Sequence, residues 1–551
     1  MSQGWKRIGV AMASAPVALA TGAVRGGLAR QGLVLTLTVR FDADLVERAD
    51  LEHALLRAAR DPGVRAVILR IDGALGSWAW SQGLRQGLQV LREAGREVWA
   101  ILEQPGHGAL WVASAASRLF LLPAGEVHLL GVGAEVAFYK GALDQLGLEA
   151  DLVAAGAYKS FGEPWQRTFA SSAWTESLQA MLGGLQRTLV RDLAEARGLS
   201  AGAVEAAMAE APLTAERALA LGLVDALAYE DQVLAEAKER WPGARTLKWE
   251  RWRKLDQAQE LAARAGGLGP EVAVVHLEGP VVVDDPRRAV AIKARVVAPL
   301  LRRLREDASV VAVVLHLNTG GGSALASELI WREVDLLAAE KPVVAVFEGV
   351  CASGGYYLAA PAREIFSRST TLTGSIGVFG GKLVTEGLRR KLGLTVQPFG
   401  QAPASLLYAS SRRFTEGERA RFGALMGRVY DGFVERVAKG RGTSPEQVEP
   451  HCRGRVWTGE DAAARGLVDR FGGLEDGLAR AKELASAPSA RRVDHDPSHR
   501  RTLVSKAVKA ARGGESAVEL AVQAWVDHPL SWLLAHQEQA LAVLPVEAPG
   551  V

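Results

Sequence analysis

Two periods of apolar and polar positions alternate along this chain. Residues 310–317, VVAVVLHL, form a continuous apolar and β-branched run, which is typical of a strand covered on both faces. After the turn NTGGG, residues 324–341 place apolar side chains at helical spacing. The runs VVAVF at 343–347 and EIFS at 364–367 predict two further strands. Strand, helix and strand in repetition predict an α/β fold with right-handed crossovers and a largely parallel sheet.

The same pattern occurs twice. The segment RAVILRIDGALGSWAWSQGL at 65–84 aligns with VAVVLHLNTGGGSALASELI at 311–330 at an offset of 246 residues. Without a gap, that offset also places LLGVG at 129–133 on SIGVF at 375–379. Self-similarity at a fixed period indicates an internal duplication. We therefore predict two tandem domains of the same α/β class.

Repeat and composition together predict five regions. In chain order they are a membrane anchor or signal segment, the first copy, a helical linker, the second copy, and a polar linker with a helical tail: 1–30, 31–245, 246–269, 270–487 and 488–551.

The two ends of the chain leave alternatives open. Residues 8–24 are uncharged for 17 positions, fewer than the roughly 20 that span a bilayer. An anchor or interfacial helix, a cleaved signal and a cytosolic segment are all compatible with this stretch. The tail has two amphipathic helical stretches around Pro529. They fit a helix that packs on the body or on another subunit, or one that lies on a membrane surface.

Charge and cysteine content exclude several classes of protein. The 65 basic and 62 acidic residues nearly balance, so we predict no nucleic-acid partner. Two cysteines, Cys351 and Cys452, cannot form a disulfide framework in a chain of 551 residues. The ten histidines show no metal-ligand spacing, so we predict neither a metal nor a cofactor.

The stretch GVCASGGYYLAA at 349–360 carries the candidate chemistry. Ser353 follows a loop of small residues and precedes two glycines, an arrangement that exposes a hydroxyl beside free backbone N–H groups. The first copy has His107 at the aligned position, but it contains Lys159 where the second copy has Ser405. Each copy thus holds one member of a Ser/Lys pair. Burial would lower the pKa of the lysine enough for it to act as a base.

Each of these residues also has a plainer interpretation. A serine in a glycine loop is usually a turn residue, and a lysine is usually solvated. Cys351 is an alternative nucleophile, although no histidine partner is apparent. The glycine turn matches neither of the spacings that cradle phosphates.

Four motifs, YKSFGEP, NTGGGS, ASGGYY and LTGSIGVFG, resemble the long tandem form of the signal peptide peptidase A family. That family comprises bacterial membrane-bound serine proteases with the fold of caseinolytic protease and crotonase, and the resemblance spans about residues 31–485. It implies that Ser353 is the nucleophile, that Lys159 is the general base and that Ser375 orients the lysine. Gly354, with Gly321 or Gly322, would supply the oxyanion N–H groups.

The resemblance also implies a substrate, an assembly and a location. Cleaved signal peptides would be the substrates, and the chain would form a homo-oligomer, a tetramer in that family. The body would lie on the extracytoplasmic side of a bacterial inner membrane, although the weak anchor leaves the cytoplasm open. The chain departs from the family at Gly320, where proline is usual, and in its tail, which has no counterpart there.

Two other functions compete with proteolysis. A non-catalytic scaffold of the same fold would bind peptides or membrane partners without turnover. A crotonase-like acyl-CoA enzyme would need carboxylate acid/base residues near the glycine turn, and the sequence offers none there.

Overall fold

A computed structural model of the chain describes residues 31–40, 43–72, 76–265, 269–285, 288–498 and 541–543. The predicted anchor or signal segment at 1–30 lies outside the described residues, as does most of the predicted tail.

The first copy alternates strands and helices. Strands β1 to β9 are Leu33–Arg40, Val64–Asp72, Glu97–Leu102, Arg118–Leu121, Glu126–Val127, Glu149–Ala155, Leu213–Thr214, Ala226–Leu227 and Arg245–Lys248. Helices α1 to α9 are Leu45–Arg60, Trp78–Glu93, His107–Ala113, Lys140–Leu146, Glu163–Gln166, Ser172–Arg197, Ala201–Glu210, Ala215–Ala220 and Glu230–Arg240. Helix α10, Trp249–Ala265, lies in the predicted linker, and its Trp252 is buried in the core of the first copy.

The second copy repeats this order. Strands β10 to β21 are Glu271–Glu278, Val281–Val282, Ile292–Lys293, Val310–Thr319, Gly321–Ser323, Val343–Ala352, Glu364–Ser367, Leu372–Gly374, Val378–Val384, Val456–Thr458, Arg470–Phe471 and Arg491–His495. Helices α11 to α18 are Ala294–Glu306, Ala324–Glu340, Gly354–Ala359, Glu386–Lys391, Glu416–Arg441, Pro445–Val448, Gly459–Ala463 and Leu474–Leu484. A last strand, β22, is Leu541–Val543.

Each copy has a parallel sheet with the same strand order. The first reads β9-β1-β2-β3-β4-β8, and the second reads β21-β10-β13-β15-β16-β20. Neighbouring strands along both paths are parallel. The central strands are apolar because helices cover both faces of a parallel sheet. The predicted fold, two tandem copies of one α/β domain, is confirmed.

A third sheet joins the two copies. Its order is β12-β11-β14-β22-β18-β6, so β6 of the first copy pairs with β18 of the second. The pairing is antiparallel and places Ala155 opposite Val378. Just beyond β6, the ring of Phe161 packs on Phe379 with 5.0 Å between centroids. The loop that follows β6 is therefore fixed to the second copy.

Buried polar groups also cross between the copies. The guanidinium of Arg368, which is 3% exposed, donates to Glu52 on α1 and Gln86 on α2 at 2.5 Å each. Beside it, the Gln82 amide donates to the Ser369 hydroxyl at 2.8 Å. Shape and charge therefore fix the orientation of the two copies.

The region after residue 487 differs from its prediction where it is described. Arg491–His495 forms an edge strand on β10 instead of a polar linker. Its charges are compatible with a strand because they are paired: Arg492 donates to Glu475 and Asp494 at 2.8 Å each. Leu541–Val543 is also a strand and not a helix, because its backbone pairs with strands on both sides.

Candidate active site

Ser353 lies at the turn between β15 and α13. Its backbone has φ 53° and ψ −118°, a conformation that costs a non-glycine residue free energy. The turn is held by the Ser353 N–H, which donates to the carbonyl of Gly374 at 2.8 Å. Ser353 is fully buried in the described structure. Strain concentrated at one buried serine is typical of a functional position.

Lys159 reaches this serine from the other copy. Strand β6 delivers the chain to Gly156, whose φ of 107° turns it back toward the second copy. Lys159 follows, and its Nζ lies 2.7 Å from the Oγ of Ser353. The predicted pair therefore meets within one chain.

Ser375 fixes the direction of the lysine amine. Lys159 Nζ lies 3.0 Å from both the carbonyl oxygen and the Oγ of Ser375. Ser375 is fully buried and, like Ser353, has a positive φ, here 48°. Three oxygen atoms thus surround the amine, and all of them belong to uncharged groups.

Burial controls the charge of this amine. Lys159 is 4% exposed, and burial holds its pKa well below the 10.5 of an ordinary lysine. Desolvation disfavours the ammonium, and the neutral amine retains a lone pair that can accept a proton. The site therefore holds a base next to a hydroxyl.

The segment Arg453–Arg455 clasps the two loops, and the sequence did not indicate it. The Arg453 carbonyl accepts from the Tyr158 N–H at 2.7 Å, and the Gly454 N–H donates to the carbonyl of Ile376 at 2.7 Å. The Arg455 carbonyl accepts from the Ser375 N–H at 2.6 Å. Three consecutive residues thereby set the distance between the lysine loop and the Ser375 loop.

Gly454→Ala is expected to lower kcat about 10- to 100-fold. A Cβ there would lie 2.6 Å from the Lys159 N and 2.7 Å from its Cα, so the lysine backbone must move. Gly442→Ala is the matched control: Gly442 has a similar positive φ, 62°, but open space around its Cα. Both variants bear the cost of a positive φ, so melting temperatures should fall alike while only Gly454→Ala loses turnover. Equal activity in the two variants would contradict a positioning role for Gly454.

Backbone N–H groups converge beside the serine. A Cβ on Gly354 would lie 3.2 Å from the nitrogen of Gly322 and 3.4 Å from the Cα of Gly321, so β14 faces the start of α13. The Gly321 N–H donates to the Thr319 hydroxyl at 3.0 Å, which holds the turn at Gly320. Of the two predicted glycines, Gly322 is therefore the better partner for Gly354. A side chain at Gly322 would strike the Val281 carbonyl oxygen.

Other candidate groups are placed unfavourably for chemistry. Cys351 is fully buried in β15, and burial raises the pKa of its thiol well above 9.0. His107, the counterpart of Ser353, stacks on Trp78 with 5.4 Å between ring centroids. In the described part of the chain, no three His, Cys, Asp or Glu side chains are placed to hold a metal ion.

Comparison with known proteins agrees with this site. The profile of Peptidase family S49 matches residues 90–241 and 335–487, one region in each copy. The chain is 29% identical over 480 residues to the chloroplastic serine protease SPPA of Arabidopsis thaliana, covering 84% of this chain and 71% of the relative. It is 31% identical over 447 residues to Protease 4 of Salmonella typhi, covering 79% and 72%. Protease 4 of Haemophilus influenzae is 28% identical over 455 residues, covering 79% and 73%.

Fold, duplication and relatives define a serine protease. The chain belongs to peptidase family S49, because the profile covers more than half of it and the Salmonella typhi relative is matched over most of its length. The resemblance to the long tandem form is thereby confirmed. Among the residues that the structure describes, no helix is long and apolar enough to cross a bilayer.

Proposed function

We propose that the protein hydrolyses peptide bonds with a Ser/Lys dyad, Ser353 as nucleophile and Lys159 as general base. The observation that carries this proposal is the 2.7 Å contact between Lys159 Nζ and Ser353 Oγ in a buried site. The lowered pKa of Lys159 supports it, since only the neutral amine can take the hydroxyl proton.

The chemistry runs through an acyl-enzyme. The neutral amine takes the proton of Ser353 as Oγ attacks the peptide carbonyl carbon. The N–H groups of Gly354 and Gly322 stabilise the oxyanion of the tetrahedral intermediate. The ammonium then gives its proton to the leaving amine, which leaves an ester on Ser353. Water, deprotonated by Lys159, hydrolyses that ester and restores the serine. Ser375 holds the amine toward Ser353 throughout.

The substrates, assembly and location belong to the same proposal. We infer that the substrates are signal peptides and other extended apolar peptides, and that the chain works as a homo-oligomer at a bacterial inner membrane. A run of exposed apolar side chains supports the oligomer, because such a patch favours a subunit contact: Leu392, Leu394, Val396 and Phe399. A monomeric molar mass by light scattering would contradict the assembly.

Covalent labelling tests the dyad directly. Purified protein is incubated with a fluorophosphonate, mapped by peptide mass spectrometry, and assayed on a fluorogenic apolar peptide. We expect turnover in the wild type and one phosphonate per chain, on Ser353. Ser353→Ala should lose both, whereas Ser309→Ala, at a surface turn of the same copy, should keep both. Turnover by Ser353→Ala, or binding without turnover by the wild type, would overturn the proposal.

A further inference from the structure

Strand β22 lies in an unusual place for the end of a chain. It runs antiparallel to β14, with Ala542 opposite Gly322 and Leu541 opposite Ser323. On its other side it runs antiparallel to β18, with Leu541 opposite Phe379. The segment therefore inserts into the third sheet between two strands of the second copy.

The gap that β22 fills accepts one extended chain. Because β22 is antiparallel to both neighbours, β14 and β18 run in the same direction on either side of it. Adjacent strands are about 4.8 Å apart, so β14 and β18 face each other across about 10 Å. Without an occupant, both edges would present unpaired N–H and C=O groups. We call this gap between Gly321–Ser323 and Val378–Val384 the strand slot.

The strand slot passes over the candidate dyad. Its β14 side contains Gly322, whose nitrogen faces Gly354 next to the serine. Its β18 side begins three residues after Ser375, and β18 pairs on its far side with β6, which leads to Lys159. Any chain that adds a strand here is held by backbone hydrogen bonds across the reacting groups.

We propose that Leu541–Val543 is a built-in competitor that occupies the peptide groove of its own chain. The claim rests on the proposed function, in that the strand slot is taken as the groove for substrates. Two observations carry it: pairing on both edges of the strand slot and the position of that slot beside Ser353. The sequence fits the occupant, because ALAVLPV at 540–546 is uncharged and apolar, like the extended peptides proposed as substrates.

Tethering makes such a competitor effective at any protein concentration. About 40 residues separate Ser498 from Leu541, and a flexible linker of that order gives an effective concentration near the millimolar range. A weakly binding tail would therefore raise the apparent KM for peptides without changing kcat. Substrate would displace the tail by binding the same backbone groups.

Kinetics of full-length variants test this competition. Ala542→Pro removes an N–H and cannot adopt a central strand position, whereas Ala542→Val keeps a strand former at the same site. We expect Ala542→Pro, and a chain that ends at residue 540, to lower KM about threefold or more at unchanged kcat. Ala542→Val and a chain that ends at residue 544 should match the wild type. All chains are first checked by intact mass for their full C-terminus.

Two further measurements separate the possible failures. A synthetic peptide of residues 538–546 should inhibit the chain that ends at 540 competitively, and its scrambled version should not. Hydrogen exchange should show loss of amide protection at residues 321–323 and 378–384 in Ala542→Pro. Unchanged KM and unchanged exchange would overturn the tail proposal. Absent turnover in every chain, with exchange still altered by Ala542→Pro, would overturn the protease proposal and leave the occupant standing.

Discussion

Lys159→Met is expected to lower kcat/KM for peptide hydrolysis by about 10³-fold or more. Methionine has a similar length but no lone pair that can take a proton from the Ser353 hydroxyl 2.7 Å away. In the wild type, kcat/KM should rise with pH through an apparent pKa well below 10.5, because burial favours the neutral amine. The variant should lack this rise. Rates measured from pH 6 to 10 on the same fluorogenic peptide decide it.

Two controls separate a missing base from a missing charge or a damaged fold. Lys159→Arg keeps a cation, but its guanidinium stays protonated, so it should be as inactive as Lys159→Met. Substantial activity in Lys159→Arg would mean that charge, and not proton transfer, matters here. Lys140→Met, at an exposed lysine of the same copy, should keep full activity.

The stability of Lys159→Met follows from the same shift. A lysine whose pKa is lowered by folding costs stability at every pH below its ordinary value of 10.5. Removing the amine relieves that cost, which offsets the loss of the hydrogen bonds to Ser375. The melting temperature at pH 7 should therefore not fall by more than a few degrees, and inactivity cannot be attributed to unfolding.

The periodicity of the sequence was enough to predict the body of the fold. VVAVVLHL became the centre of β13, EIFS became β16, and the offset of 246 aligned β2 with β13. Such runs are informative because a strand buried on both faces admits few polar residues. Complementary loss in the two copies also indicated Ser353 and Lys159, since each copy lacks one member of the pair.

What the sequence missed depends on contacts between distant segments. The clasp at Arg453–Arg455 acts through its backbone, so its side chains carry no signal of the role. Strand β21 was read as a linker because its arginines are polar, but ion pairs at a sheet edge satisfy them. Strand β22 has only three residues, and its pairing depends on a gap that other segments create.

The dyad requires the two copies to stay docked, and buried charges contribute to that contact. His53 on α1 lies 3.1 Å from Glu475 of the second copy and 2.7 Å from Glu260 on α10. Burial lowers the pKa of His53, but these carboxylates outweigh it and raise the pKa to about 9. Proton binding at this contact therefore stabilises the fold below the ordinary pKa of 6.5, and that contribution is lost as pH rises through 9.

Arg368→Met is expected to lower the free energy of unfolding by about 3 to 5 kcal/mol, because it breaks a buried ion pair and leaves Glu52 without its partner. Arg368 is 3% exposed and links α1 and α2 of the first copy to the second. Urea denaturation followed by fluorescence measures the change. Arg363→Met, at an exposed arginine five residues away, should change stability by no more than about 0.5 kcal/mol.

The loss in Arg368→Met should grow with pH. Burial raises the pKa of Glu52 to about 7, and Arg368 opposes that rise, so the variant carboxyl titrates at a still higher pH. At pH 6 Glu52 is largely protonated in both proteins, and the difference in unfolding free energy is smallest. At pH 8.5 the wild type holds a paired carboxylate, whereas the variant must bury an unpaired charge or bind a proton. Adding Glu52→Gln to Arg368→Met should remove this pH dependence, and a pH-independent loss in the single variant would mean that Glu52 is not the group left unpaired.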